Sequence, residues 1–193
     1  MTASSTPFCR RSSWLAALAA LLLALAAPFP ARAEGIEIIN AALIASEQGP
    51  VLEAEFEITL THTLEEALSK GVPLYFTLEF ELIRPRWYWF NDKVADYRQQ
   101  YRLSYSALAR QYRVGVGKLY QNFSSLPEAL AFLNRVRLRE VVAAGALSKG
   151  TSYIAALRLR LDTSQLPSPF QITAVGSRDW NLGSGWYRWT IAP

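Results

Sequence analysis

The sequence predicts a mainly β domain, a single antiparallel β-sandwich with helical connections, from three observations. Residues 52–60, 74–82 and 153–161 each alternate apolar with polar or charged side chains, the period of a strand with one buried face. Spacing near 3.6 is confined to short segments around residues 63–70 and 124–134. Turn residues then cut the chain into pieces too short for a helical bundle, and no linker, repeat or low-complexity tract divides them.

Residues 1–33 stand apart from this pattern. A polar start carries Arg10 and Arg11 and no acid, residues 14–27 form an unbroken apolar run, and Pro28 and Pro30 interrupt it before Ala31-Arg32-Ala33. A basic start, a short apolar stretch and small residues at an A-x-A site make a cleavable secretory leader. The run falls short of the ~20 residues of a membrane span, so an uncleaved anchor is the minor alternative. Trp14 stands too far behind the arginine pair for the twin-arginine route, which favours Sec. Cys9 precedes the apolar run and is no lipobox cysteine. The expected organisation is a leader at 1–33 and one domain at 34–193.

Within that domain, residues 36–44 read as a strand turning through residues 46–50 into its partner. In the partner, Leu52, Ala54, Phe56, Ile58 and Leu60 face inward and Glu53, Glu55 and Glu57 outward. Thr63-Leu-Glu-Glu66 matches a capping box, and Gly71 and Pro73 close a helix of two turns. Leu74, Phe76, Leu78, Phe80 and Leu82 then alternate with Tyr75, Thr77, Glu79 and Glu81 until Pro85 ends or bends the strand. Residues 87–90 read as a short aromatic strand, and 94–104 and 107–118 as two more. Ser124-Ser-Leu-Pro-Glu128 starts a second helix; residues 135–142 fit its tail or a strand equally well. Residues 153–161 form a strand with Arg158 and Arg160 on the wet face. A proline-rich crossing follows at 162–169, and strands at 170–175 and 186–191 end the chain. Seven to nine strands with two short helices make an immunoglobulin-like sandwich.

The formal charge is +4, and loss of Arg10, Arg11 and Arg32 with the leader lowers it to +1. A nearly neutral domain gives weak grounds for nucleic-acid binding. Its halves differ: residues 34–83 hold ten acids and one base, residues 84–193 six acids and sixteen bases. The acids form combs, Glu53/Glu55/Glu57 and Glu79/Glu81, and the bases likewise, Arg98 with Arg102 and Arg158 with Arg160. Pairing of the combs across neighbouring strands is expected; two separate patches, each facing a partner, are the alternative.

Few chemistries fit. Cys9 is the only cysteine and leaves with the leader, so disulfides and thiolate metal sites are excluded. His62 is the only histidine, in a Thr-His-Thr setting that suits a surface or capping residue better than a triad. Ser184 lacks the spacing of a nucleophile elbow. Val114-Gly-Val-Gly-Lys118 lacks the gap of a phosphate loop and reads as a strand bulge or turn. A carboxylate pair drawn from the Glu combs would suffice for a glycosidase, though the combs look like solvated sheet faces. No cofactor or metal is expected.

The aromatic residues are the better lead. Trp87 and Trp89 share one parity and Tyr88 and Phe90 the other, with Arg84 and Arg86 just before them; Trp186, Tyr187 and Trp189 cluster near the end. Exposed, such residues suit a protein interface or stacking on sugar rings; otherwise they fill the sandwich core. The candidate binding residues are therefore Arg84, Arg86, Trp87, Trp89, Trp186 and Trp189.

The order of motifs resembles one family. Arg84-Pro-Arg-Trp-Tyr-Trp89, Tyr101-Arg-Leu-Ser-Tyr105, Ser124-Ser-Leu-Pro-Glu-Ala129, Leu157-Arg-Leu-Arg-Leu-Asp162 with Ser164-Gln-Leu-Pro167, and the closing Trp180 and Trp186 are similar to the bacterial domain of unknown function 4390, whose members are often labelled proline-rich signal peptide proteins. The resemblance implies an exported, periplasmic protein and carries no activity, ligand or catalytic residue with it. The expectation is a non-enzymatic envelope protein that binds another envelope protein or assists an assembly, peripheral to the membrane at most. The alternatives are a carbohydrate- or peptidoglycan-binding module and a carboxylate-dependent glycoside hydrolase.

Overall fold

The computed structural model describes residues 35–46, 49–86, 92–143 and 145–193. Residues 34–193 form one compact unit. The expected leader and the aromatic strand at 87–90 lie outside the described residues.

The chain order is β1 (Gly35–Ile44), β2 (Val51–Thr59), α1 (His62–Ser69), β3 (Leu74–Arg84), β4 (Asp92–Ser106), β5 (Gln111–Val116) and β6 (Leu119–Phe123). Then come α2 (Leu126–Leu133), β7 (Arg135–Arg139), β8 (Tyr153–Leu161), α3 (Ser168–Ala174) and β9 (Tyr187–Ile191), with single 3-10 turns at Thr163–Gln165 and Arg178–Trp180. One sheet holds three strands in the order β1-β2-β7, and the other six, β6-β5-β4-β3-β8-β9. Every pairing is antiparallel. The fold is the β-sandwich that the alternation predicts.

Strand β3 is the centre of the larger sheet. Leu74, Phe76, Leu78, Phe80 and Leu82 are all fully buried on its inner face, each contributing about 1.5–3 kcal/mol by leaving water. They join one core with Leu52 and Phe56 of β2, Leu64 and Leu68 of α1, Leu133 of α2 and Leu157 of β8. The core thus takes its residues from both sheets and two of the helices that close them.

Several elements depart from the expected pattern. The cap of α1 is Thr61, whose hydroxyl accepts from the Leu64 N–H, not Thr63. Thr61 wins because its buried hydroxyl also donates to the Asp179 carbonyl, at 3.0 Å. The expected strand at 107–118 is a turn followed by β5, and β6 adds an unexpected strand after it. Residues 135–139 resolve as strand β7, paired with β2 from Val51↔Arg139 to Glu55↔Arg135. Residues 170–175 are not a strand: α3 covers 168–174. Pro169 suits a first helical turn, Phe170 packs on Trp180 with ring centroids 5.9 Å apart, and the Gln171 amide donates to the carbonyls of Ser164 and Leu166.

Candidate functional site

Alternation within the six-stranded sheet sends the even residues of β3 to the core and the odd ones to the opposite face. Strand pairing then sets the neighbours of each outer residue. Glu79 lies between Arg98 of β4 and Arg158 of β8. Thr77 lies between Gln100 and Arg160, and Tyr75 opposite Arg102. Arg102 in turn faces Gly115, which faces Tyr120, while Arg113 lies between Ser104 and Asn122. At the other end Glu81 sits between Asp96 and Ala156, and Ala156 faces Arg188. Lys93 reaches this face by bonding Glu81 at 2.9 Å and Asp96 at 3.0 Å. The strand positions of the face therefore carry seven bases against three acids.

Glu79 organises the centre. It is 6% exposed, which is rare for a glutamate unless it is paired. Arg158 donates to its Oε2 through both Nε, at 2.9 Å, and Nη2, and Arg160 donates to Oε1 at 3.2 and 3.4 Å. Burial pushes the Glu79 carboxyl up, but the hydrogen bonds and charges of Arg158 and Arg160 outweigh it and hold the group below the usual carboxylate range. One buried acid thereby fixes two guanidinium groups in place.

Aromatic rings fix others. The Arg158 guanidinium lies over the Trp186 ring at 4.5 Å, Arg102 over Tyr75 at 5.8 Å, and Arg113 over Tyr120 at 5.7 Å; such contacts contribute about 0.5–1 kcal/mol at exposed sites. Arg113 also donates to the Asn122 side chain at 3.0 Å. Gly115 is what lets the Tyr120 ring lie across β5, since a Cβ there would stand 3.1 Å from the ring. The result is a sheet face of oriented guanidinium groups interleaved with rings, suited to carboxylate or phosphate oxygens.

The described members of the expected binding set, Arg84, Arg86, Trp186 and Trp189, do not all come together there. Arg84 and Arg86 both donate to Asp92 and clamp the end of the β3–β4 pair. Trp189 lies on the inner side of β9, its ring 6.3 Å from Phe80 and 5.8 Å from Tyr187. Among the described candidates, Trp186 joins the arginine face, half-buried against Arg158. Trp87 and Trp89 lie outside the described residues. Glu79, Tyr75 and Tyr120 were missed as site residues; the signal available was that Glu79 and Arg158 share wet-face parity on strands of opposite charge.

The smaller sheet has a different outer face. Glu53 bonds Arg137 at 3.0 Å and Glu55 approaches Arg135 at 3.8 Å across the β2–β7 ladder. Together with Asn40, Ala42 and Ile44 they line a shallow open depression. A glycosidase needs one of two carboxyl groups free to donate a proton, whereas each of these is engaged by its own arginine. Among the described residues no three of His, Cys, Asp and Glu gather as a metal site would require. No described helix is long and apolar enough to cross a membrane.

No curated protein and no solved structure matches the chain. The family described as Domain of unknown function (DUF4390) matches residues 33–190. That span runs from before β1 to the penultimate residue of β9 and takes in both sheets, so the chain belongs to the DUF4390 family.

Proposed function

We propose that this is an exported, periplasmic protein without catalysis of its own, which holds an acidic surface of another envelope protein against the outer face of its six-stranded sheet. The observation that carries the reading is the Glu79-centred array: seven bases on a face with three acids. Four of its arginines, Arg102, Arg113, Arg158 and Arg160, are oriented by a buried carboxylate or by aromatic rings. Arginine and large aromatic residues dominate the energetics of protein interfaces, and arginines already held in place lose less freedom on binding.

The test is capture of partners from native envelope by the wild-type protein and by an Arg98→Glu/Arg102→Glu variant, both sites being exposed. A partner with an acidic surface should be retained by the wild type, released by rising salt, and weakened at least ~10-fold by the reversal, which sets like charges together. Equal retention by both proteins would reject the face.

A glycan is the second reading, favoured by the ring of Tyr120, 62% exposed and laid along the sheet. It loses Trp189 to the inner side and one face of Trp186 to Arg158. Titration of glycan fragments with tryptophan fluorescence as readout separates the two; a flat response across a broad panel sinks the sugar.

A further inference from the structure

Beside the arginine face, where the chain leaves β8 for α3 and returns toward β9, lies a cleft of about 340 Å³. That is the size of a small-molecule site. Its charged and polar lining is Arg160, Thr163, Ser177, Arg178 and Asn181, and it includes no carboxylate. The two acids adjoining it in sequence are turned to other work: Asp162 caps the 3-10 turn through Ser164, and Asp179 accepts from Thr63 of α1.

Most of this polar lining is unanswered. Among the described residues the side chains of Thr163, Ser177, Arg178 and Asn181 make no hydrogen bond or ion pair. Among the described residues Arg160 is bound only by Glu79, at 3.2–3.4 Å. Trp180, in the wall, is 3% exposed, and its buried indole N–H has no acceptor among the described residues. A buried donor left unpaired costs on the order of 1–3 kcal/mol. The cleft thus gathers two guanidinium groups, Arg160 shared with Glu79 and Arg178 unpaired among the described residues, and several free donors, which is the chemistry that receives a multi-oxygen anion.

The same wall has an apolar outer side. Ala174 and Gly176 line the cleft, and Val175 between them, the C-cap of α3, is 84% exposed; Ile172, 80% exposed, lies in the last turn of the helix before it. Two large aliphatic side chains held almost wholly in water, beside two arginines, match an anion that carries hydrocarbon.

We propose that this cleft takes the phosphate of an anionic glycerophospholipid, with Arg160 and Arg178 on its oxygens and Ile172 and Val175 entering the edge of the bilayer. The site shares Arg160 with the partner face proposed above, but its second arginine, Arg178, is not part of that face, so substitution at Arg178 tests the cleft alone. It makes the protein a peripheral visitor to the membrane surface.

The test uses protein purified from an exporting host, sedimented with vesicles of phosphatidylcholine alone or with phosphatidylglycerol, and titrated separately with glycerol phosphate and inorganic phosphate. Binding to the anionic and not to the neutral vesicles is expected, together with binding of glycerol phosphate, each at least ~10-fold weaker for Arg178→Glu. An Ile172→Ser/Val175→Ser variant should lose vesicle binding yet keep glycerol phosphate, which separates insertion from anion recognition. All three positions are exposed, and circular dichroism checks that the variants fold. Binding of the free phosphates by a wild-type protein that does not sediment with anionic vesicles would overturn the lipid as source. Binding of neither, or vesicle binding lost to Arg98→Glu/Arg102→Glu and untouched by Arg178→Glu, would overturn the site.

Discussion

Glu79 shows what a residue's parity reveals and what it hides. Its place on a wet face opposite basic strands is legible in the alternation of β3 and β8. Its burial is not, because the strand pattern gives no sign that long arginine stems from β8 would close over the carboxylate. The consequence is a pH dependence whose sign is fixed. A carboxyl held below its ordinary value near 4.5 in the folded protein contributes stability that is complete above that value. The contribution fades as pH falls through the lower folded value. Asp92, held down by its hydrogen bond to Arg84, and Glu128, held down by Ser124, act in the same direction. Glu79→Gln should therefore flatten the loss of stability below about pH 4.5 relative to wild type, in denaturant titrations repeated across pH. Glu79→Ala should cost about 2 kcal/mol near neutrality. That is less than the ~3–5 kcal/mol of a fully buried pair, because Arg158 and Arg160 remain about a third exposed and can be rehydrated. An unchanged acid slope in Glu79→Gln would show that the carboxylate is not what the arginines hold.

At the level of elements, the legible ones are those with one wet and one dry face. Strands β2, β3 and β8 announce themselves because Leu52, Phe76 and Leu157 are buried and their neighbours face out. Strand β6 is hidden because Leu119, Tyr120, Gln121 and Asn122 are all exposed at a sheet edge, which leaves no alternation to read. Helix α3 is misread because Ile172, Thr173 and Val175 are β-branched, a strand preference that Pro169 and the Phe170–Trp180 contact override. The charge combs do better. Glu53/Glu55 meet Arg135/Arg137 and Glu79 meets Arg158 and Arg160, which is the pairing expected over the two-patch alternative. The β2–β7 pairs are largely exposed, with Arg135 and Arg137 mostly in water, so their worth is small: Arg137→Glu should destabilise by about 0.5–1 kcal/mol. Glu53→Arg combined with Arg137→Glu should recover most of it. A double-mutant cycle with no coupling would mean that the ladder holds β7 through its backbone alone. Helix α2 offers a larger effect. Ser125 accepts from the Glu128 N–H, and the Glu128 carboxylate reaches back to the Ser124 N–H and hydroxyl. Ser125→Ala should cost about 1 kcal/mol, read as a lower unfolding midpoint.

For the whole molecule, the acid-rich first half and base-rich second half are interleaved, not juxtaposed. Strand β7 returns to pair with β2, and β8 returns to pair with β3, so each ladder joins one strand from either half. This makes the contacts non-local, and such topologies form late and together. The export proposed above adds a constraint of its own. If residues 1–33 are removed as the leader composition expects, Cys9 goes with them, and nothing covalent staples the sandwich. The exported protein should begin at Glu34 by N-terminal sequencing and should unfold at the same denaturant concentration with and without reductant; a retained Met1 would refute the leader. Stability must then rest on a core completed by its last strands. A chain ending at residue 152 would lose Tyr153, Leu157, Leu159 and Leu161 from the interior, and it would leave β3 with an open edge. It would also strip Glu79 of both guanidiniums while its carboxylate remained beside the core. That truncation should show no cooperative thermal transition by circular dichroism. A sharp transition from it would mean that the first seven strands hold a core of their own, and that β8 and β9 serve the arginine face and not the fold.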